Sequence, residues 1–254
     1  PATAPDHFDR VLLVNSGSEA NDLAMRIARW ATGRTGVIAT AHAYHGITMA
    51  TTAISPEGWP DGTGPEDWVQ LTAAPGDTTT RADIAAPTVA DAAARLSARG
   101  PGVAALCVDS AFTSDGIRGP AADWLTEAVR ATHDHGGLFL ADEVQAGYGR
   151  TGQALWSAMA CGVVPDLITL GKPMGNGYPV AAVLTSSAIA DEFVRATGYF
   201  STFGGNTVAC VAALAVLDTI EDEQLVANAA DVGDHLLSCL SRIAASSVRL
   251  GEPR

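Results

Sequence analysis

Lys172 stands in Leu170-Gly171-Lys172-Pro173-Met174-Gly175-Asn176-Gly177, thirty residues after an Asp142-Glu143 pair that closes an apolar run. A lysine held in a glycine-rich turn offers a primary amine that condenses with an aldehyde as a Schiff base. A carboxylate at a strand end can keep a pyridine nitrogen protonated, so that the ring draws electrons. Together these are the requirements of pyridoxal phosphate chemistry. The apolar, glycine-rich surroundings predict a desolvated and therefore more nucleophilic amine at Lys172.

Three further clusters agree with this chemistry, each open to a plainer reading. Asn15-Ser16-Gly17-Ser18-Glu19-Ala20-Asn21 falls at a strand-to-helix junction. Its small residues and the free N–H groups of a helix start suit a phosphate. A simple capping box is equally compatible, and the Gly-Lys-Ser/Thr of a Walker loop is missing. In Ala43-Tyr44-His45-Gly46 the tyrosine can stack on a flat ring or serve as core beside a turn glycine. Ser201-Thr202-Phe203-Gly204-Gly205-Asn206 puts hydroxyls before a helix, as a second phosphate contact or as another cap.

The Asp142-Glu143-Val144-Gln145 segment has competitors too. Two carboxylates ending an apolar strand need a cation, a metal or good donors. A magnesium site or a Walker B strand would serve, but both are weakened by the missing Walker loop. Arg150, in Gly147-Tyr148-Gly149-Arg150-Thr151-Gly152, is also available as a structural ion-pair partner for Glu143. His42 and His45 lie in a loop without an acidic third ligand, which argues against zinc. His133 and His135 suit the C-terminal dipole of a helix. No metal is expected.

Positioning these groups requires strands alternating with helices. Apolar runs at 11–15, 36–41, 103–109, 138–142, 167–170 and 179–185 read as strands. Amphipathic patterns read as helices from Ser16 through Trp30, around Val89 to Leu96, and over 124–133, 187–196, 207–220 and 224–244. Residues 54–87, rich in Pro, Gly, Asp and Thr, read as an irregular surface excursion. The alternation predicts one α/β domain with a mostly parallel central sheet flanked by helices, and a site at the C-terminal ends of the strands.

The 254 residues can bury a large core, and the net charge of −13 argues against nucleic-acid or anionic-membrane partners. Four scattered cysteines without a C-x-x-C pair point to a reducing, cytoplasmic setting. Both ends read as cut from a longer chain, with Pro1-Ala2-Thr3-Ala4-Pro5 at one and Gly251-Glu252-Pro253-Arg254 at the other.

In order and spacing the five motifs resemble the class III aminotransferases, the ornithine and γ-aminobutyrate transaminase group of fold-type I pyridoxal-phosphate enzymes. The resemblance runs from Asn15 to about Ala244. The phrase Gly171-Lys172-Pro173-Met174-Gly175-Asn176-Gly177 resembles most the branch of ethanolamine-phosphate phospho-lyases and alanine–glyoxylate aminotransferase-like proteins. The resemblance implies pyridoxal 5′-phosphate as cofactor, with Lys172 as the Schiff-base lysine and proton carrier. It further implies that Asp142 pairs with the pyridine nitrogen, Val144 packs on the ring and Gln145 reaches its 3′ oxygen. Ser16, Gly17 and Ser18 would hold the phosphate, and Tyr44 with His45 would line the ring. Thr202 would bind the phosphate of a partner subunit's cofactor, which implies a homodimer.

By the same resemblance the 254 residues are the large cofactor domain, without the N-terminal segment and small C-terminal domain of the family. The substrates implied are an amine and a keto acid, with elimination of phosphate from a phosphorylated amino alcohol as the alternative reaction. Two departures stand out. Asp109-Ser110-Ala111-Phe112 replaces the family's Glu followed by Gln-Gly, and Thr207 replaces a usual proline.

Overall fold

The computed structural model describes residues 4, 7–76, 88–118 and 121–246. In chain order its elements are β1 (Arg10–Val14), α1 (Gly17–Thr32), β2 (Gly36–Thr40), α2 (Met49–Ala53), β3 (Val69–Thr72), α3 (Val89–Arg99), β4 (Val103–Val108), α4 (Ala122–Asp134), β5 (Leu138–Asp142), α5 (Glu143–Ala146), α6 (Ser157–Ala160), β6 (Leu167–Leu170), β7 (Ala181–Thr185), α7 (Ser187–Thr197), α8 (Thr207–Asp222) and α9 (Leu225–Ala245). Short 3-10 turns occupy Pro56–Gly58 and Lys172–Gly175.

The strands form one seven-stranded sheet in the order β1-β7-β6-β5-β4-β2-β3. Neighbours from β6 to β3 are parallel, and β7 alone runs against both of its neighbours. The C-terminal ends of β1, β2, β4, β5 and β6 therefore share one edge of the sheet.

Strand residues divide between two cores with a period of two. Leu106, Val108, Phe139, Ala141 and Ile168 face the layer of α3, α4 and α8. Ala105, Cys107, Leu140 and Leu167 face α1 and α7. All six residues of β4 are buried, as a strand covered by helices on both faces requires. This matches the mostly parallel sheet flanked by helices that the sequence predicts.

The structure corrects the reading of residues 54–87. Val69–Thr72 is strand β3 at the sheet edge, parallel to β2, and α2 with its Thr48 capping box precedes the excursion. A four-residue strand carrying Gln70 has too little apolar alternation to stand out among the surrounding Pro, Gly and Asp residues. Residues 77–87 of that stretch lie outside the described residues, as do residues 1–3, 5, 6 and 251–254 at the ends. His133, in the last turn of α4 as expected, also has its Nε2 2.8 Å from Asp166 Oδ2, and Asp166 in turn accepts from Phe139 N, which ties the end of α4 to β5.

Candidate active site

Along the shared strand edge a cleft of about 180 Å³ is lined by Gly17 and Ser18 from α1, Tyr44 and His45 after β2, Asp109 after β4, Asp142, Val144 and Gln145 at β5–α5, and Lys172 after β6. Five separate loops meet there, and most of the residues singled out by sequence are among them. Ser16 and Thr202 are the exceptions. Ser16 is the N-cap of α1, its Oγ accepting from Glu19 N at 3.2 Å. Glu19 completes the cap on Asn15, accepting from its backbone N–H at 2.9 Å. Thr202 is exposed and is not part of the cleft lining.

Asp142 sits on the cleft floor at 4 % exposure. Its Oδ1 accepts from Val144 N at 3.0 Å, which starts α5. Its Oδ2 accepts from Asn21 Nδ2 at 2.8 Å and lies 2.7 Å from His45 Nδ1. Asn21 also donates to the backbone carbonyl of His45 at 2.8 Å, and its Oδ1 accepts from Thr169 Oγ1 at 2.6 Å. The carboxylate is thus fixed from α1, β6 and the post-β2 loop at once. Burial pulls the His45 imidazole down, but Cys107 and the hydrogen bond and charge of Asp142 outweigh it, leaving His45 well above its ordinary value. Its Nε2 is buried without a hydrogen-bond partner.

Asn21 and Thr169 escaped the sequence reading. The available signal was a polar residue on the apolar face of α1, three and four residues from the buried Ala24 and Met25. Such a residue must find a buried partner.

Glu143, fully buried beside Asp142, points away from the cleft. Its oxygens accept from Ser157 N at 2.9 Å and Ala158 N at 2.8 Å, with Ser110 Oγ at 3.4 Å. Backbone donors at the start of α6, rather than Arg150, satisfy it. Burial raises its carboxyl to about 7, with Asp109 and Asp142 adding to the rise. Burial also raises Asp109, against which Thr113 and Ala111 donate hydrogen bonds.

Lys172 has φ 29°, in the left-handed region that side chains avoid, and opens the 3-10 turn behind Gly171. Its Nζ donates to Gln145 Oε1. The amine is exposed at the cleft mouth, contrary to the desolvated lysine expected from its neighbours. Flanking glycines tighten the backbone but leave this side chain in solvent.

Two glycines allow close approaches in the wall of the cleft. A Cβ on Gly17 would stand 2.6 Å from Val144 Cγ1, and one on Gly46 (φ 139°) would stand 2.5 Å from Ser18 Oγ. The first turn of α1 lines the cleft through Gly17 and Ser18, and Ser18 Oγ accepts from Ile47 N at 3.1 Å and keeps its proton to donate elsewhere.

The family model of the class-III aminotransferases matches residues 2–253. The chain belongs to that family. A fruit-fly (Drosophila melanogaster) alanine–glyoxylate aminotransferase 2-like protein is 38 % identical over 98 % of this chain and 53 % of its own. Ethanolamine-phosphate phospho-lyase homolog 1 of Caenorhabditis elegans is 36 % identical over 90 % of this chain and 54 % of its own. Among solved structures, a phospholyase from Arthrobacter in complex with phosphoethanolamine superposes with a TM-score of 0.91 at 37 % identity, covering all of this chain and 61 % of that one. A pyridoxal-phosphate-bound amine transaminase from an uncultivated Pseudomonas species gives 0.84 at 30 % identity, over 98 % and 61 % of the two chains.

The chain spans about half the length of the curated relatives it matches. As a member of this family it shares the fold-type I architecture and the cofactor, pyridoxal phosphate. The cleft suits that group: a fixed buried carboxylate on the floor, a lysine amine at the mouth, and the first turn of α1 lining it through Gly17 and Ser18. Among the described residues no helix is long and apolar enough to cross a membrane.

Proposed function

We propose that the protein catalyses pyridoxal-phosphate-dependent transamination, taking the amino group from an amino acid or ω-amine and passing it to a keto acid or aldehyde. The observation that carries this reading is the convergence of Lys172 and the triply held Asp142 in one cleft. The bound cofactor supplies a protonated ring that stabilises negative charge on the carbon bearing the substrate's nitrogen. Asp142 holds the ring nitrogen's proton, and Asn21, His45 and Val144 N keep the carboxylate aimed at it. Lys172 would hold the cofactor through its amine, and the same amine would move the proton to and from the reacting carbon. Gln145 holds the lysine amine and reaches the ring's 3′ oxygen. Val144 and Tyr44 bound the ring, while Ser16, Gly17 and Ser18 receive the phosphate at the start of α1.

Thr202, exposed outside the cleft, fits a contact made across a homodimer to the partner's phosphate. The four cysteines are free thiols, which suits a cytoplasmic protein. In this reading the described fold is the large domain of a longer enzyme.

Elimination of phosphate from a phosphorylated amino alcohol is the second reading, supported by the likeness to the phosphoethanolamine-bound phospholyase. One experiment separates the two. Full-length protein loaded with pyridoxal phosphate is given a panel of amines that includes phosphoethanolamine, and the cofactor left on the protein is identified by mass spectrometry. Pyridoxamine phosphate means transamination. Unchanged pyridoxal phosphate with released inorganic phosphate means the lyase reaction, and neither product with any amine refutes both.

A further inference from the structure

Asn21 lies on the face of α1 that packs against the sheet, among the buried Ala20, Leu23 and Ala24, and is 1 % exposed. An apolar side chain would fill that place with no polar group to bury, so packing alone gives no reason for an amide. Its hydrogen bonds are complete. Nδ2 donates to Asp142 Oδ2 and to the carbonyl of His45, each at 2.8 Å, and Oδ1 accepts from Thr169 Oγ1 at 2.6 Å. Turned over, the amide would set its oxygen against the carboxylate and the His45 carbonyl, acceptor against acceptor. Its orientation is therefore fixed by what surrounds it. Thr169, fully buried on β6, is the register partner of Asp142 on β5.

A carboxylate offers about four acceptor positions, two on each oxygen. On Asp142 Oδ1 one is taken, by Val144 N at 3.0 Å. On Oδ2 both are taken, by Asn21 Nδ2 at 2.8 Å and by His45 Nδ1 at 2.7 Å. His45 is the donor in that contact, because an ionised carboxylate only accepts. Its other nitrogen, Nε2, has no hydrogen-bond partner to draw the ring elsewhere. Among the described residues, the position left open on the carboxylate is on Oδ1.

We infer that Asn21, anchored by Thr169, is a positioning residue for the cofactor: it closes Oδ2 of Asp142 and so makes Oδ1, the oxygen shared with Val144 N, the one that receives the proton of the ring nitrogen. This inference rests on the role proposed above for Asp142. Without Asn21, Oδ2 regains an open position, and the carboxylate can offer the ring either oxygen instead of one. What the site loses is preorganisation of its acceptor.

The test uses full-length protein and two probes: pyridoxal phosphate, and its carbocyclic analogue in which a C–H group replaces the ring nitrogen. Affinities are read by fluorescence titration. Asn21→Ala is expected to weaken pyridoxal phosphate about tenfold, as loss of a hydrogen bond to a charged group does, while the analogue, which has no proton for Asp142, keeps its affinity. General loosening of the cleft would weaken both alike. Thr169→Val is expected to move the ratio of the two affinities in the same direction, and Thr169→Ser, which keeps the hydroxyl, to leave it at the wild-type value. Should Asn21→Ala fail to fold, the two Thr169 variants decide the matter.

A wild-type preference for pyridoxal phosphate that survives undiminished in Asn21→Ala and Thr169→Val, or an equal loss of both ligands, overturns the inference and leaves the role of Asp142 standing. If the wild type itself binds the two ligands alike, the role of Asp142 falls, and the inference with it. A second readout is geometric. In a crystal structure of the cofactor-loaded protein the ring nitrogen is expected within hydrogen-bonding distance of Oδ1, with Asn21 and His45 still on Oδ2. A ring nitrogen bonded to Oδ2 overturns the assignment.

Discussion

The Nδ1 atom of His45 lies 2.7 Å from Oδ2 of Asp142, and both side chains are withdrawn from solvent. The pair places a second titrating group directly behind the carboxylate on the cleft floor. Cys107 and Asp142 raise the His45 imidazole above its ordinary value despite burial. A histidine with a raised folded-state value stabilises the fold fully below its unfolded value of about 6.5, and the contribution fades as pH rises through the folded value. Nuclear magnetic resonance titration of His45 is expected to place its midpoint above that of an exposed histidine such as His7. A midpoint at or below that of the exposed histidine refutes the assignment. His45→Gln keeps a donor to Asp142 but removes this pH-dependent stability.

Gly17→Ala tests the close approach of α1 to Val144. The new methyl would stand 2.6 Å from Val144 Cγ1, so the valine must move, into the space beside the ring. Overpacking of this kind costs about 1–3 kcal/mol. Cofactor affinity is expected to fall about tenfold or more, read by fluorescence titration of pyridoxal phosphate, with the double variant Gly17→Ala/Val144→Ala recovering much of it. Equal affinity in wild type and Gly17→Ala, or no recovery in the double variant, contradicts the packing argument.

Lys172 and Asp142 were legible in the sequence because each is marked locally, one by its glycine turn and one by the apolar run it ends. The network that fixes Asp142 was not. Asn21 lies 121 residues from Asp142 and 148 from Thr169, and only the parallel stacking of β5 and β6 behind α1 brings the three together. Strand β3 was lost for a different reason: at a sheet edge it needs only four residues, and Gln70 breaks the apolar run. Exposure of Lys172 could not be read either, since glycines report backbone geometry and not what covers a side chain.

Glu143 sets a pH dependence of the opposite kind to that of a salt-bridged acid. Its folded-state value is raised from 4.5 to about 7, chiefly by burial. Between those values the folded protein holds a proton that the unfolded chain has released, so stability falls as pH rises through that window. A shift of this size is worth about 3 kcal/mol at most. Urea unfolding at pH 5 and pH 8 is expected to show a smaller decline for Glu143→Gln than for the wild type. Asp115, also raised by burial, contributes to both proteins and cancels in the comparison. Identical declines in the two proteins remove Glu143 as the titrating group.

Asp142→Asn separates holding the cofactor from using it. The amide retains the shape of the carboxylate and can still meet Val144 N, so α5 and the Lys172 turn should keep their positions. What it loses is the negative charge that, in the proposed function, would hold a proton on the ring nitrogen. Borohydride reduction followed by peptide mass spectrometry is therefore expected to find pyridoxal phosphate fixed to Lys172 in both wild type and Asp142→Asn, and absent from that peptide in Lys172→Ala. Turnover in Asp142→Asn should drop about 100-fold or more, as when a preorganised electrostatic partner is removed from a reaction centre. Trapping on another lysine refutes the role of Lys172. Unimpaired turnover in Asp142→Asn refutes the carboxylate as the ring's proton holder, since a neutral side chain in the same place would then suffice.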